Sequence, residues 1–216
     1  MKKQSGFTLI EIAIVLVIIG LLLGGVLKGQ ELINSARVKN LATDFRSVPV
    51  FIYGYQDKFR ALPGDDPGVV AHVNGTPATT SGPTGNGSIG GAWNSGIHTD
   101  ESVLFWQHVR LAGLAPGSTT APTTPAGVAP FVPRNALGGR VGVSSTSPIT
   151  LPAALRGSYY ICSEAITGQF AKQLDITFDD GNTATGSMMT ESTTPGTSIA
   201  TASIVDSTAY NVCMAI

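Results

Sequence analysis

From Phe7 to Leu27 the chain is almost uninterruptedly apolar, broken only by Thr8, Glu11 and the glycines Gly20, Gly24 and Gly25. A run of about 20 apolar residues is what a helix needs to cross a hydrocarbon core of about 30 Å. Lys2 and Lys3 precede it, and basic flanks stay on the cytoplasmic side, so the sequence beyond Lys28 is expected outside the cytoplasm. Past the run the pattern turns amphipathic. Leu41, Phe45, Val48, Ile52, Tyr55 and Phe59 follow at steps of four, three, four, three and four residues. Those steps place them on one stripe of a helix, expected to pack on a globular domain. Pro49 falls inside the stripe and is expected to kink the helix without ending it, because the periodicity resumes beyond it. Gly20 and Gly24 form a GxxxG spacing, which on its own is weak support for a specific helix pair.

Ala61-Leu62-Pro63-Gly64-Asp65-Asp66-Pro67 ends the helix in a turn whose aspartates are suited to capping local backbone. A loop rich in Gly, Asn and Thr is expected at 73–96 and one rich in Pro, Gly and Thr at 115–134, separated by a short helix from Glu101 to about Ala112. Asp100 stands at its N-cap position, Leu104, Phe105, His108, Leu111 and Ala112 share one face, and Gly113 and Pro116 stop it. Asn74-Gly75-Thr76 and Asn86-Gly87-Ser88 match the glycosylation sequon but read here as turn chemistry. Arg140–Val143 and Ser158–Cys162 are β-prone, and Ala209–Ala215 reads as a final strand. Gln169–Phe178 fits both periods. A helix ending in the turn Asp179-Asp180-Gly181-Asn182 is favoured.

Composition narrows the function classes. A chain of 216 residues holds one span and one globular domain. The net charge of −1, with 12 % charged residues, gives no basic field for nucleic acid, so no specific nucleic-acid partner is expected. No HExxH, GxSxG or P-loop pattern occurs, and His72, His98 and His108 lack metal-ligand spacing, so the chain is not read as an enzyme. Trp93, Trp106 and the tyrosines are expected in the core, since no basic groove accompanies them. No cofactor is expected and no residue is assigned to a metal. Calcium at the Asp65-Asp66 or Asp179-Asp180 pair is the one possibility held open, against turn capping, because neither pair begins a complete EF-hand loop. Two cysteines, Cys162 and Cys213, are too few for a zinc site and suit one disulfide in an oxidising compartment.

Glu11 does not fit a plain anchor. Left charged and unpaired in lipid it would cost about 3 kcal/mol or more, so it calls for a partner or a position near the headgroups. Nor does the segment fit an ordinary secretory signal, whose small-residue cleavage site follows the apolar stretch. Here Gly6 precedes it. Gly6-Phe7-Thr8-Leu9-Ile10-Glu11 closely resembles the type IV prepilin motif, found in type IV pilins, in pseudopilins of type II secretion and in pilin-like subunits of DNA-uptake machines. The resemblance covers about 25 residues, in which leader, glycine, phenylalanine, glutamate and span agree in order.

The resemblance implies that prepilin peptidase cuts after Gly6 and methylates the new amine of Phe7. It also implies that Glu11 neutralises the Phe7 amine of a neighbouring subunit during assembly. Two opposite charges in a low-dielectric filament core each remove the other's penalty of burial alone. A Cys162–Cys213 disulfide would resemble the disulfide-bounded C-terminal region of many pilins, pinning the last strand to the Tyr159 strand.

The expected fold is α+β and pilin-like: a long N-terminal helix, its first half membrane-spanning, packed on a small antiparallel sheet. The segments are a leader at 1–6, a transmembrane and assembly helix at 7–27, an amphipathic stem at 28–60 and an exported domain at 61–216. The function so implied is a structural subunit of a type IV pilus or related filament. Its partners would be other pilin subunits, prepilin peptidase, the inner-membrane assembly machinery and membrane lipid. A type II secretion pseudopilin, or a carbohydrate- or DNA-binding domain on a pilin anchor, are the alternatives. Localisation would be single-pass in the inner membrane with a periplasmic C-terminal domain, then in a periplasmic or extracellular filament.

Overall fold

The computed structural model describes residues 8–216. It divides into two compact units, Met1–Lys39 and Asn40–Ile216. Helix α1, Leu9–Phe59, begins in the first and continues into the second, running through Pro49 without a break. Gly6 and Phe7, the residues expected to be processed, lie outside the described residues.

From Leu9 to Leu27, Glu11 apart, α1 is apolar on all sides and exposed on all sides: Leu9 is 92 % and Leu21 73 % accessible. A helix with no polar face needs an apolar surrounding. Among the described residues it is one helix long and apolar enough to cross a membrane.

In the second unit the same helix obeys the period of the expected stripe. Leu41, Phe45, Val48, Ile52 and Tyr55 are buried, and Phe59 is half-buried. Each such burial contributes about 1.5–3 kcal/mol. The helix packs on an antiparallel sheet of four strands, β1 Val141–Ser144, β2 Tyr160–Thr167, β3 Met188–Glu191 and β4 Ala209–Ala215, in the order β1-β2-β4-β3. The second unit also holds helices α2 Val69–Val73, α3 Glu101–Leu111, α4 Val128–Phe131 and α5 Gly168–Phe178. Helix α5 follows β2 directly, and the Phe178 ring meets Phe45 of α1 edge-on at 6.1 Å. Strand β2 bulges between Ser163 and Ile166, where Ala165 takes φ 60°. Arg140 grips the bulged Glu164 carboxylate through its Nε at 3.0 Å. In β1 only glycine fits at 142, because a Cβ there would collide with the Trp93 carbonyl.

Cys162 and Cys213 lie opposite each other in the β2–β4 pairing and form a disulfide. Both are fully buried among Ile149, Leu155, Tyr160, Met189 and Ala215, with Trp93 packed against the cluster. The strands expected at Arg140–Val143 and Ser158–Cys162 are present, the second displaced toward Thr167, and β4 has the expected bounds. Strand β3 had no signal of its own. It forms by pairing with β4, from Met188 opposite Met214 to Glu191 opposite Asn211.

Helix α3, Glu101–Leu111, corrects the reading of one buried face: every residue from Glu101 to Arg110 is buried. Most of its polar side chains are met from elsewhere in the chain, Glu101 Oε1 and Trp106 Nε1 being the atoms left without a partner. His108 accepts the Gly64 N–H at Nδ1 and therefore donates from Nε2 to the Thr76 carbonyl. Arg110 donates to the carbonyls of Pro116, Ser118 and Phe131 and lies over the Phe131 ring. Asp100 stands at the N-cap position, but its side chain caps nothing in the helix. It instead accepts from the hydroxyls of Thr80, Ser81 and Ser95.

Candidate functional site

The N-terminal site is built by the first turn of α1. Glu11 Oε2 accepts the Thr8 N–H at 2.7 Å and the Thr8 hydroxyl at 2.7 Å, while the Glu11 N–H donates to Thr8 Oγ1 at 3.3 Å. This reciprocal pairing is a capping box, which satisfies two of the orphan donors at a helix start. The T-x-x-E spacing of Thr8 and Glu11 is the sequence signal for it. Glu11 thus has a second task beside any assembly role. Its carboxylate is held at the very start of the helix by Thr8. The apolar residues that follow, from Ile12 to Val26, carry no compensating charge.

The second unit offers a separate cleft of about 720 Å³, lined by Phe59, Arg60, Asp65, Asp66, His72 and Tyr159 among others. Its floor is a network on Asp66, which is 1 % accessible. Tyr55 donates its hydroxyl to Asp66 Oδ2 at 2.7 Å, the Gly68 N–H donates to Oδ1 at 2.8 Å, and His72 Nδ1 lies 2.7 Å from Oδ2. Burial pushes the Asp66 carboxyl up, but the bonds from His72, Tyr55 and Gly68 outweigh it and hold it below the ordinary value. Burial, then the bond to this carboxylate, drives Tyr55 the other way, well above the usual tyrosine range. Asp65 was expected to cap its own turn. It reaches across the chain instead, accepting the N–H groups of Gly85, Asn86 and Gly87. Such an arrangement closes the loop at 73–96 onto the end of α1, and gives Asp65 and Asp66 structural work.

Two further carboxyls are strongly perturbed. Glu101, fully buried, is pushed up to about 7 by burial, against the opposing Gly90 N–H, with the Asp65 and Asp100 charges adding to the rise. Asp175 near the end of α5 is pushed to about 7 by burial and by Asp180 and Asp179. The Gly181 N–H offsets part of that rise, yet neither Asp175 oxygen has a partner in hydrogen-bond geometry. Carboxyl oxygens of Asp175, Asp179 and Asp180 lie within 4.8 Å of one another. Asp179-Asp180 is legible in the sequence as a pair; Asp175, inside α5 one turn before the C-cap Asp179, joins them only in the fold.

An apolar anchor helix opening on a prepilin-like capping box, continued into an α+β disulfide domain, is the architecture of a pilin-like protein. Residues 1–27 match the family described as "Prokaryotic N-terminal methylation motif". That is the prepilin-type signature, and it supports the general class of type IV pilins and pseudopilins and a structural role. No curated protein and no solved structure matches the chain.

Proposed function

We propose that the chain is a structural subunit of a type IV pilus or related filament, processed between Gly6 and Phe7 and assembled through its N-terminal helix. In this reading 1–6 is the leader, 7–27 the transmembrane and assembly helix, 28–60 the stem and 61–216 the exported domain. The single observation that carries it is Glu11, a carboxylate at the mouth of an exposed apolar helix inside a methylation motif. The subunit waits in the inner membrane with its domain in the periplasm. In the filament, Glu11 meets the Phe7 amine of another copy or of a related subunit, and the pair is buried together.

The capping box makes one substitution especially informative. Glutamine at 11 keeps the oxygen that accepts the Thr8 N–H, because Glu and Gln serve equally at that capping position. Only the charge is lost. Glu11→Gln is expected to leave membrane levels and helix content unchanged while sharply reducing incorporation into filaments, measured as the ratio of sheared-filament to membrane-pool protein. Unchanged incorporation would refute the electrostatic role and favour a plain anchor for the exported domain.

A further inference from the structure

The C-terminal end of α5 holds three acids and no base. Asp175 lies in the last turn, Asp179 follows the last helical residue, and the turn through Gly181, at φ 83°, brings Asp180 alongside. A helix C-terminus carries the negative end of the helix dipole, so carboxylates there are disfavoured and cations favoured. No basic residue stands in the last turn of α5. The ion pairs of the second unit lie elsewhere, at His72–Asp66, Arg140–Glu164 and Lys172–Asp206.

The neighbours of the cluster leave oxygens open on one side. Asp179 Oδ2 accepts the N–H groups of Ser187 at 2.5 Å and Met188 at 3.0 Å, and Oδ1 takes no hydrogen bond among the described residues. Asp180 accepts the Asn182 N–H at Oδ1 and the Thr185 hydroxyl at Oδ2. Asp175 is the decisive member. It is 1 % accessible, neither of its oxygens has a partner in hydrogen-bond geometry, the nearby Gly181 N–H giving only partial relief, and a carboxyl oxygen lies within 4.8 Å of one from each of the other two. Buried polar atoms are nearly always satisfied, so a carboxyl group with two orphaned oxygens facing two further acids lacks a ligand.

We propose that Asp175, Asp179 and Asp180 form a binding site for a hard divalent cation of calcium size, with Asp175 as its buried ligand. The donor set is all oxygen, without the histidine or cysteine that zinc or copper would select. The three oxygens lie within 4.8 Å of one another, which fits inside a Ca²⁺ shell about 4.6–5.2 Å across, and the flexible shell of Ca²⁺ accepts an irregular, partly hydrated carboxylate set where Mg²⁺ demands near-ideal octahedral geometry. Asp180 is exposed and Asp179 half-buried, so waters can complete the shell and the ion can enter from solvent. Once bound, the ion ties the end of α5 to the turn that leads into β3. It thereby fastens β3, the edge strand held otherwise by its pairing with β4.

Calorimetric titration and thermal unfolding of the full chain in detergent micelles, with EDTA, CaCl₂ or MgCl₂, test the site. Ca²⁺ at a hundredfold excess over its dissociation constant is expected to raise the thermal midpoint on the order of 5 °C. An equal Mg²⁺ concentration is expected to raise it less. Asp175→Asn should abolish the Ca²⁺ response while remaining at least as stable as the EDTA-treated parent, since it removes a buried charge and keeps the shape. Asp180→Asn, at an exposed position, should weaken Ca²⁺ binding at least about tenfold and serves if the buried variant fails to fold. Absence of heat and of any midpoint shift up to about 10 mM Ca²⁺ would overturn the proposal. So would an equal response of the parent and both variants, or equal effects of Mg²⁺ and Ca²⁺.

Discussion

Reducing the Cys162–Cys213 bond is the perturbation whose size follows most directly from the fold. The two cysteines are 51 residues apart, and the loop they close contains α5, β3 and the turn bearing the acidic cluster. In the chain-entropy account, closing a loop of that length removes about 4 kcal/mol of unfolded-state freedom at 25 °C. Reduction leaves both sulfurs in place in the apolar cluster around Ile149, Leu155 and Tyr160, so little transfer free energy is lost beside it. For a domain of this size a loss of about 4 kcal/mol lowers the thermal midpoint by about 8–16 °C. The assay is thermal unfolding of the full chain in detergent, oxidised and after reduction under denaturing conditions and refolding, followed by near-ultraviolet circular dichroism. Because the bond lies in the second unit, helix content and membrane insertion of the first should be unaffected. A shift under about 2 °C would refute the reasoning, as would two alkylatable thiols in unreduced native protein.

Glu101→Gln tests the buried acid of α3. The folded-state value is raised to about 7 from 4.5, so the stability associated with Glu101 is complete below pH 4.5, falls as pH rises to 7 and is flat above. The variant should therefore match the parent near pH 4 and exceed it at pH 8 by no more than about 3 kcal/mol in denaturant unfolding; parallel pH profiles would contradict this. Tyr55→Phe removes one of the donors to buried Asp66 and should cost about 1–3 kcal/mol at neutral pH. Asp66 is held below 3.8, so its contribution is present above that value and lost as pH falls; the difference between parent and variant should shrink below about pH 4. A difference independent of pH would assign the loss to packing alone.

The elements legible in the sequence are those whose signal is local and periodic. The steps from Leu41 to Tyr55 named the buried stripe of α1, the apolar run named the span, and the alternation ambiguity at Gln169–Phe178 resolved to the favoured helix. Features built by distant partners were not legible. Strand β3 is four residues long and exists through β4. Helix α3 looked amphipathic because Glu101, Gln107, His108 and Arg110 are polar, yet each is buried where a particular distant group meets it: the Gly90 N–H, the Thr76 N–H, the Gly64 N–H and the Phe131 carbonyl. Asp65 and Asp100 read as local caps for the same reason and proved to be long-range ties. At the N-terminal site the chemistry was legible through Glu11, and the capping box with Thr8 was the part overlooked.

The proposed filament role rests on processing and assembly occurring on the same molecule, and one measurement reaches both. Filaments sheared from cells that make this protein, separated from membranes and analysed by intact mass and N-terminal peptide sequencing, should contain a chain beginning at N-methyl-Phe7. Finding the protein only in the membrane fraction, or with Met1 or Lys2 retained, would contradict the account.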